Sequence, residues 1–176
     1  LLSLKLHGLR GFATEAGVLS YRNGLGKPPG AGVRQAGGRL EFMAILKIAR
    51  MGHPVLQGRA QEIADPTDPE VSRLVQDMVD TLKDVGGLGL AAPQVHVPQR
   101  LVIFRIPASR ADEDDQDGVQ LLTVLINPVI EALSPEQELG WEACLSLPGL
   151  TGEVPRYTHI RYRALDLQGR LFEQEA

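Results

Sequence analysis

The sequence predicts an α+β fold, and three observations carry that reading. Residues 69–85 repeat apolar side chains at helical spacing, between clear start and stop signals. Several short apolar runs downstream have the length and composition of strands. Turn residues punctuate those runs, so small mixed or antiparallel sheets around helical structure are expected.

The helix is the clearest element. Asp68 suits the N-cap, Pro69 the first helical position and Glu70 the positive end of the helix dipole. Val71, Leu74, Val75, Met78, Leu82 and Val85 then line one face, and Gly86 and Gly87 stop the helix. Strands are expected over residues 101–106, 120–126, 129–133, 141–147 and 160–167, with Gln168-Gly169 as a turn. Residues 109–118 contain Asp112, Glu113, Asp114, Asp115 and Asp117. Their spacing starts like a calcium loop, but Val124 stands where a bidentate Glu is needed, so the run reads as a solvated hairpin tip.

At 176 residues and 43% hydrophobic content, the chain suits one domain with one core. No apolar run approaches membrane-spanning length, and a net charge of −4 gives no reason to expect nucleic acid as a partner. The charge is uneven. Residues 1–42 carry six basic and two acidic residues and nine of the nineteen glycines. They are expected to be a non-native or disordered leader before a domain over residues 43–176, with Met43 as the natural start. The alternative is a transit peptide, which would change the expected location from cytoplasmic to mitochondrial.

Two segments carry candidate chemistry. Gly87-Leu88-Gly89-Leu90-Ala91-Ala92-Pro93-Gln94 has the spacing of a dinucleotide fingerprint, but it follows a helix and is closed by Pro93, so that reading fails on context. Its glycines allow close backbone approach by a ligand, or simply a tight helix-to-strand connection. The second segment, Glu142-Ala143-Cys144-Leu145-Ser146, contains the one cysteine, which excludes an internal disulfide. Cys144 reads as a buried small hydrophobe, a metal ligand, or a nucleophile served by His159 or His96. The four histidines show no i, i+4 pairing.

In order and separation the two segments resemble the peptide deformylase motifs G-x-G-x-A-A-x-Q and E-G-C-x-S, with similar flanks at residues 47–56, 154–156 and 163–169. The resemblance runs over residues 43–176. It implies a deformylase-like α+β fold and hydrolysis of the formyl group of N-formylmethionyl peptides on nascent proteins, with the ribosome nearby. It also implies a divalent metal, Fe(II) foremost and Zn, Ni or Co as alternatives, held by Cys144 and two histidines. Gln94 and the backbone N–H of Leu145 then match the donors to the developing oxyanion, and Leu88 and Gly89 match the positions that pair with the peptide backbone. Glu142 takes a supporting role, orienting backbone or a nearby Arg such as Arg156, or simply forming an ion pair. Two departures qualify this picture. Ala143 replaces a Gly, which would crowd the backbone if the position needed positive φ. The family's H-E-x-x-H motif, source of both histidines and the general acid/base Glu, is not among residues 1–176. The chain as written is therefore expected to lack the C-terminal metal-binding helix and to be inactive, with a non-catalytic peptide-binding remnant as the alternative function.

Overall fold

The structure is a computed structural model that describes residues 44–105 and 121–176, together with the backbone of three short strands before them. These are β1 (Val18–Ser20), β2 (Arg34–Ala36) and β3 (Arg39–Glu41). The expected leader otherwise lies outside the described residues, as does the acidic run of residues 109–118.

The helix forms where its local signals place it. α1 spans Pro69–Asp84, and the Asp68 carboxylate accepts the Glu70 N–H at 2.9 Å. Val71, Val75, Met78 and Leu82 are buried, and each contributes about 1.5–3 kcal/mol by leaving water. Val85, expected on the same face, is 39% exposed because it caps the helix and its chain turns away there. Thr81 is fully buried on α1. Its hydroxyl accepts the Leu46 N–H at 2.9 Å and donates to the Asp77 carbonyl at 2.7 Å, which ties residue 46 to the helix.

The remaining strands are β4 (Gly89–Ala91), β5 (Leu101–Arg105), β6 (Leu121–Ala132), β7 (Gln137–Cys144), β8 (Leu147–Tyr157), β9 (Ile160–Leu165) and β10 (Leu171–Glu175). The main sheet runs β10-β9-β6-β5-β4, with β1 also paired to β6, and its neighbours are antiparallel. β2–β3 and β7–β8 form separate two-stranded sheets. Strand alternation divides the main sheet into two faces. Leu101, Ile103, Leu122, Val124 and Ile126 pack with Val71, Val75, Met78 and Leu82 of α1, whereas Val102, Phe104 and Leu125 join Tyr162, Ala164 and Phe172 on the other face. This is the α+β architecture expected.

Two boundaries differ from expectation. The strands expected over residues 120–126 and 129–133 merge into one strand, β6 (Leu121–Ala132), which bulges between Ile126 and Val129 rather than ending. The cause is Asn127, which adopts φ 52° and clasps Ile63: its Oδ1 accepts the Ile63 N–H and its Nδ2 donates to the Ile63 carbonyl, both at 2.9 Å. The strand expected over 141–147 is instead a hairpin, β7–β8, that turns at Leu145-Ser146. β8 contains Gly149, Gly152 and Pro155, residues that read as breakers but are tolerated in an exposed two-stranded ribbon. β10 completes a second hairpin around Gln168-Gly169.

Replacing Asn127 with Ala leaves both Ile63 backbone groups without their partner and puts a Cβ residue without local hydrogen bonds in the left-handed region. We expect a loss of about 2–3 kcal/mol, read from the urea midpoint. Asn127→Asp, which retains the acceptor but not the donor, should fall between the two.

Candidate active site

Both ends of the first motif meet residues 144–146 of the second in space. The first leaves α1 through Gly87, where an added Cβ would stand 2.8 Å from Leu82 Cδ1 and 3.2 Å from Leu145 Cδ1. A side chain at Gly87 would collide with the helix end, and Leu145 of the second motif lies just beyond it. Arg105 holds this stretch from behind, its backbone N–H donating to the Leu88 carbonyl at 2.9 Å and its Nε to the Gly87 carbonyl at 2.8 Å.

Among the described residues, β4 is the last strand of the main sheet and pairs only with β5. Leu88 directs its carbonyl at β5, so by strand alternation Gly89 turns its backbone groups to the free edge. Ala91 faces the same way, and its N–H donates to Gln94 Oε1 at 2.9 Å rather than to β5. Leu88 keeps an exposed side chain. The Gly89 edge therefore offers a short rail to which an extended peptide can add.

A single turn of 3-10 helix, Ala92–Val95, carries Gln94. It ends at His96 in the left-handed conformation, φ 66°. With Ala91 fixing its oxygen, the Gln94 amide presents Nε2 to the tip of the β7–β8 hairpin, 3.3 Å from Ser146 Oγ and 3.6 Å from Cys144 Sγ. A strap from the start of the domain holds both sides of this contact. The Ala49 N–H donates to the Gln94 carbonyl at 2.7 Å and the Met51 N–H to the Ser146 carbonyl at 2.9 Å.

On β7, Gly140, Glu142 and Cys144 face inward, while Leu139, Trp141 and Ala143 face outward. Glu142 is 7% exposed in its side chain and forms a two-pronged ion pair with Arg156 of β8, at 2.8 and 2.9 Å. The carboxylate hydrogen bond raises the Arg156 pKa despite burial. Ala143 is exposed and lies opposite Thr151 in the ladder. The non-glycine residues with positive φ among those described are His96 and Asn127, so Ala143 causes no left-handed strain. Glu142→Gln should cost on the order of 1–2 kcal/mol, since one partner of a half-buried pair is lost while Arg156 stays within reach of water. A fall in the unfolding midpoint, largely restored in Glu142→Asp if the pair can re-form, checks this.

Cys144 is half-buried, with the Gln94 amide as its polar neighbour. His159 lies beyond the opposite end of β8 from Cys144 and sits 3.4 Å from Glu175. His96 rests its ring against His53, centroids 4.6 Å apart. Sequence reading missed that contact, because the two residues meet only through the fold. Among the described residues, no group of three His, Cys, Asp or Glu side chains gathers to hold a metal. Cys144 fits one corner of a thiolate–imidazole site: a soft donor at a hairpin tip, beside an amide donor.

A family model for polypeptide deformylases matches residues 45–176. The chain belongs to the polypeptide deformylase family. It is 46% identical over 129 residues to peptide deformylase 1 of Bordetella pertussis, covering 73% of this chain and 72% of that protein. It is 45% identical over 128 residues to the peptide deformylase of Thermomicrobium roseum, covering 73% and 70%. Among solved structures it resembles the class I type b peptide deformylase from Acinetobacter baumannii bound to Met-Ala-Ser. There the TM-score is 0.66 at 29% identity, over 77% of this chain and 85% of that one. The family is that of a metal-dependent hydrolase. Among the described residues, no helix is long and apolar enough to cross a membrane.

Proposed function

We propose that this protein removes the formyl group from N-formylmethionyl peptides, with Cys144 as the thiolate ligand of a divalent metal. The observation that carries the reading is the Gln94 amide, held by Ala91 with its nitrogen toward Cys144. Donors aimed at the place where negative charge develops are what hydrolysis of an amide requires. When bound, the metal supplies a water acidic enough to attack a formyl carbon near neutral pH. Gln94 Nε2–H and the Leu145 backbone N–H donate to the formyl oxygen as it gains charge. Gly89, on the free edge of β4, pairs with the peptide backbone and fixes its direction, while Leu88 contributes its exposed side chain alongside. Proton delivery to the leaving amine belongs to the Glu of H-E-x-x-H, which residues 1–176 do not include.

A thiolate among imidazoles suits Fe(II), with Zn(II), Ni(II) and Co(II) able to substitute. For such a substrate the setting we propose is the cytoplasm near the ribosome, or the mitochondrion if residues 1–42 act as a transit peptide.

The test joins residues 1–176 to a family-like H-E-x-x-H segment and assays formyl-Met-Ala-Ser. Turnover that needs both the segment and added metal is the expected result, and residues 1–176 alone should show none. No turnover by the joined protein with full metal occupancy refutes the reading, and turnover by metal-loaded residues 1–176 alone refutes the need for the segment.

A further inference from the structure

Ser146 closes the cysteine motif without a role in the chemistry above. It is 1% exposed, and its hydroxyl oxygen accepts a hydrogen bond from Gln94 Nε2 at 3.3 Å. We propose that Ser146 is a positioning residue, which occupies one of the two Gln94 amide protons so that the other points to the formyl oxygen beside Cys144. The inference rests on the oxyanion role assigned to Gln94.

A primary amide has one oxygen and two N–H donors, and it can sit either way round. The Ala91 N–H at 2.9 Å requires the oxygen on its side, so Nε2 must face the hairpin. Two protons then need destinations. Ser146 Oγ takes one, and Cys144 Sγ, 3.6 Å away, lies in the direction of the other. Sulfur is a weak acceptor, so the second proton is held loosely in the resting state and is available to a better acceptor. A carbonyl oxygen acquiring charge is such an acceptor. The Ser146 backbone is tied by the Met51 N–H to its carbonyl, and the hydroxyl is shielded from water at 1% residue exposure. The serine acts through Gln94 and touches no reacting atom.

Without the serine oxygen, one amide proton loses its partner in a buried place, and the amide gains by turning it toward other acceptors. The second proton then leaves the line to the formyl oxygen. The effect should fall on kcat, since a donor that matters only in the transition state is misaimed while peptide binding along β4 is untouched.

The experiment is a double-mutant cycle in the metal-loaded protein joined to a family-like H-E-x-x-H segment, with metal content measured for every variant. Ser146→Ala should lower kcat about tenfold, with KM and metal content unchanged. Ser146→Thr, which keeps the acceptor, should recover most of that loss. In a Gln94→Ala background, Ser146→Ala should have no further effect. An unchanged kcat in Ser146→Ala, or a full tenfold loss that persists without Gln94, overturns the proposal. If Gln94→Ala alone leaves kcat unchanged, the oxyanion role of Gln94 fails first and takes this inference with it. A measurement on the unmutated protein gives an independent check. The two Gln94 side-chain protons should be resolved by NMR, one of them exchanging slowly with solvent. Two protons exchanging as in a free amide overturn the proposal even if the alanine variant does not fold.

Discussion

Replacing Cys144 with Ala in the protein joined to a family-like H-E-x-x-H segment should remove tightly held metal and reduce deformylation to background. The thiolate is the soft, anionic member of the ligand set, and two neutral imidazoles alone bind divalent ions weakly. Metal affinity belongs to the complete set, so losing one ligand of three costs more than a third of the binding energy. Folding should survive. Cys144 is half-buried at a hairpin turn, and the Glu142–Arg156 ion pair still ties β7 to β8. The comparison is metal per chain after dialysis against the unfolding midpoint of the metal-free form. Stoichiometric metal in Cys144→Ala would remove Cys144 from the ligand set.

Gln94→Ala should separate chemistry from metal binding. We expect a fall in kcat of about 10²–10³-fold with metal content unchanged, the usual scale for losing one side-chain donor to an oxyanion. KM should move little, because the peptide is held along the Gly89 edge of β4. A small loss of stability should accompany it, since the Ala91 N–H and the Ser146 hydroxyl lose the amide between them. Gln94→Glu is the sharper variant. It can still accept from Ala91, but it presents a negative oxygen to the thiolate and to the developing charge, so it should be slower than Gln94→Ala and hold metal differently. A normal kcat in either variant would exclude Gln94 as the donor.

Local chemistry made parts of this protein legible in advance. α1 could be read because every signal that defines it lies within the segment: Asp68 caps it, Pro69 opens it, and the apolar stripe repeats each turn. The same holds for the two motifs, whose small residues, amide and thiol stand in fixed sequence order. The stripe misled only at its end, where Val85 leaves the helix and faces solvent.

Other features were decided by contacts between distant residues. β6 continues through Asn127-Pro128 because Asn127 clasps Ile63, sixty-four positions away, and nothing in the local sequence encodes that partner. β8 exists because β7 pairs with it, which offsets the weak strand preference of its glycines and prolines. Gly89, rather than Leu88, faces the free edge of β4 because Arg105 on β5 takes the Leu88 carbonyl.

The sequence by itself determined the family, the helix, and the identities of Gln94 and Cys144. Only the tertiary structure decided that the Gln94 nitrogen points to Cys144 and Ser146, fifty and fifty-two positions away. An amide's orientation depends on which donor reaches its oxygen. Here that donor is the Ala91 N–H, which is free for Gln94 because β4 forms the edge of the main sheet.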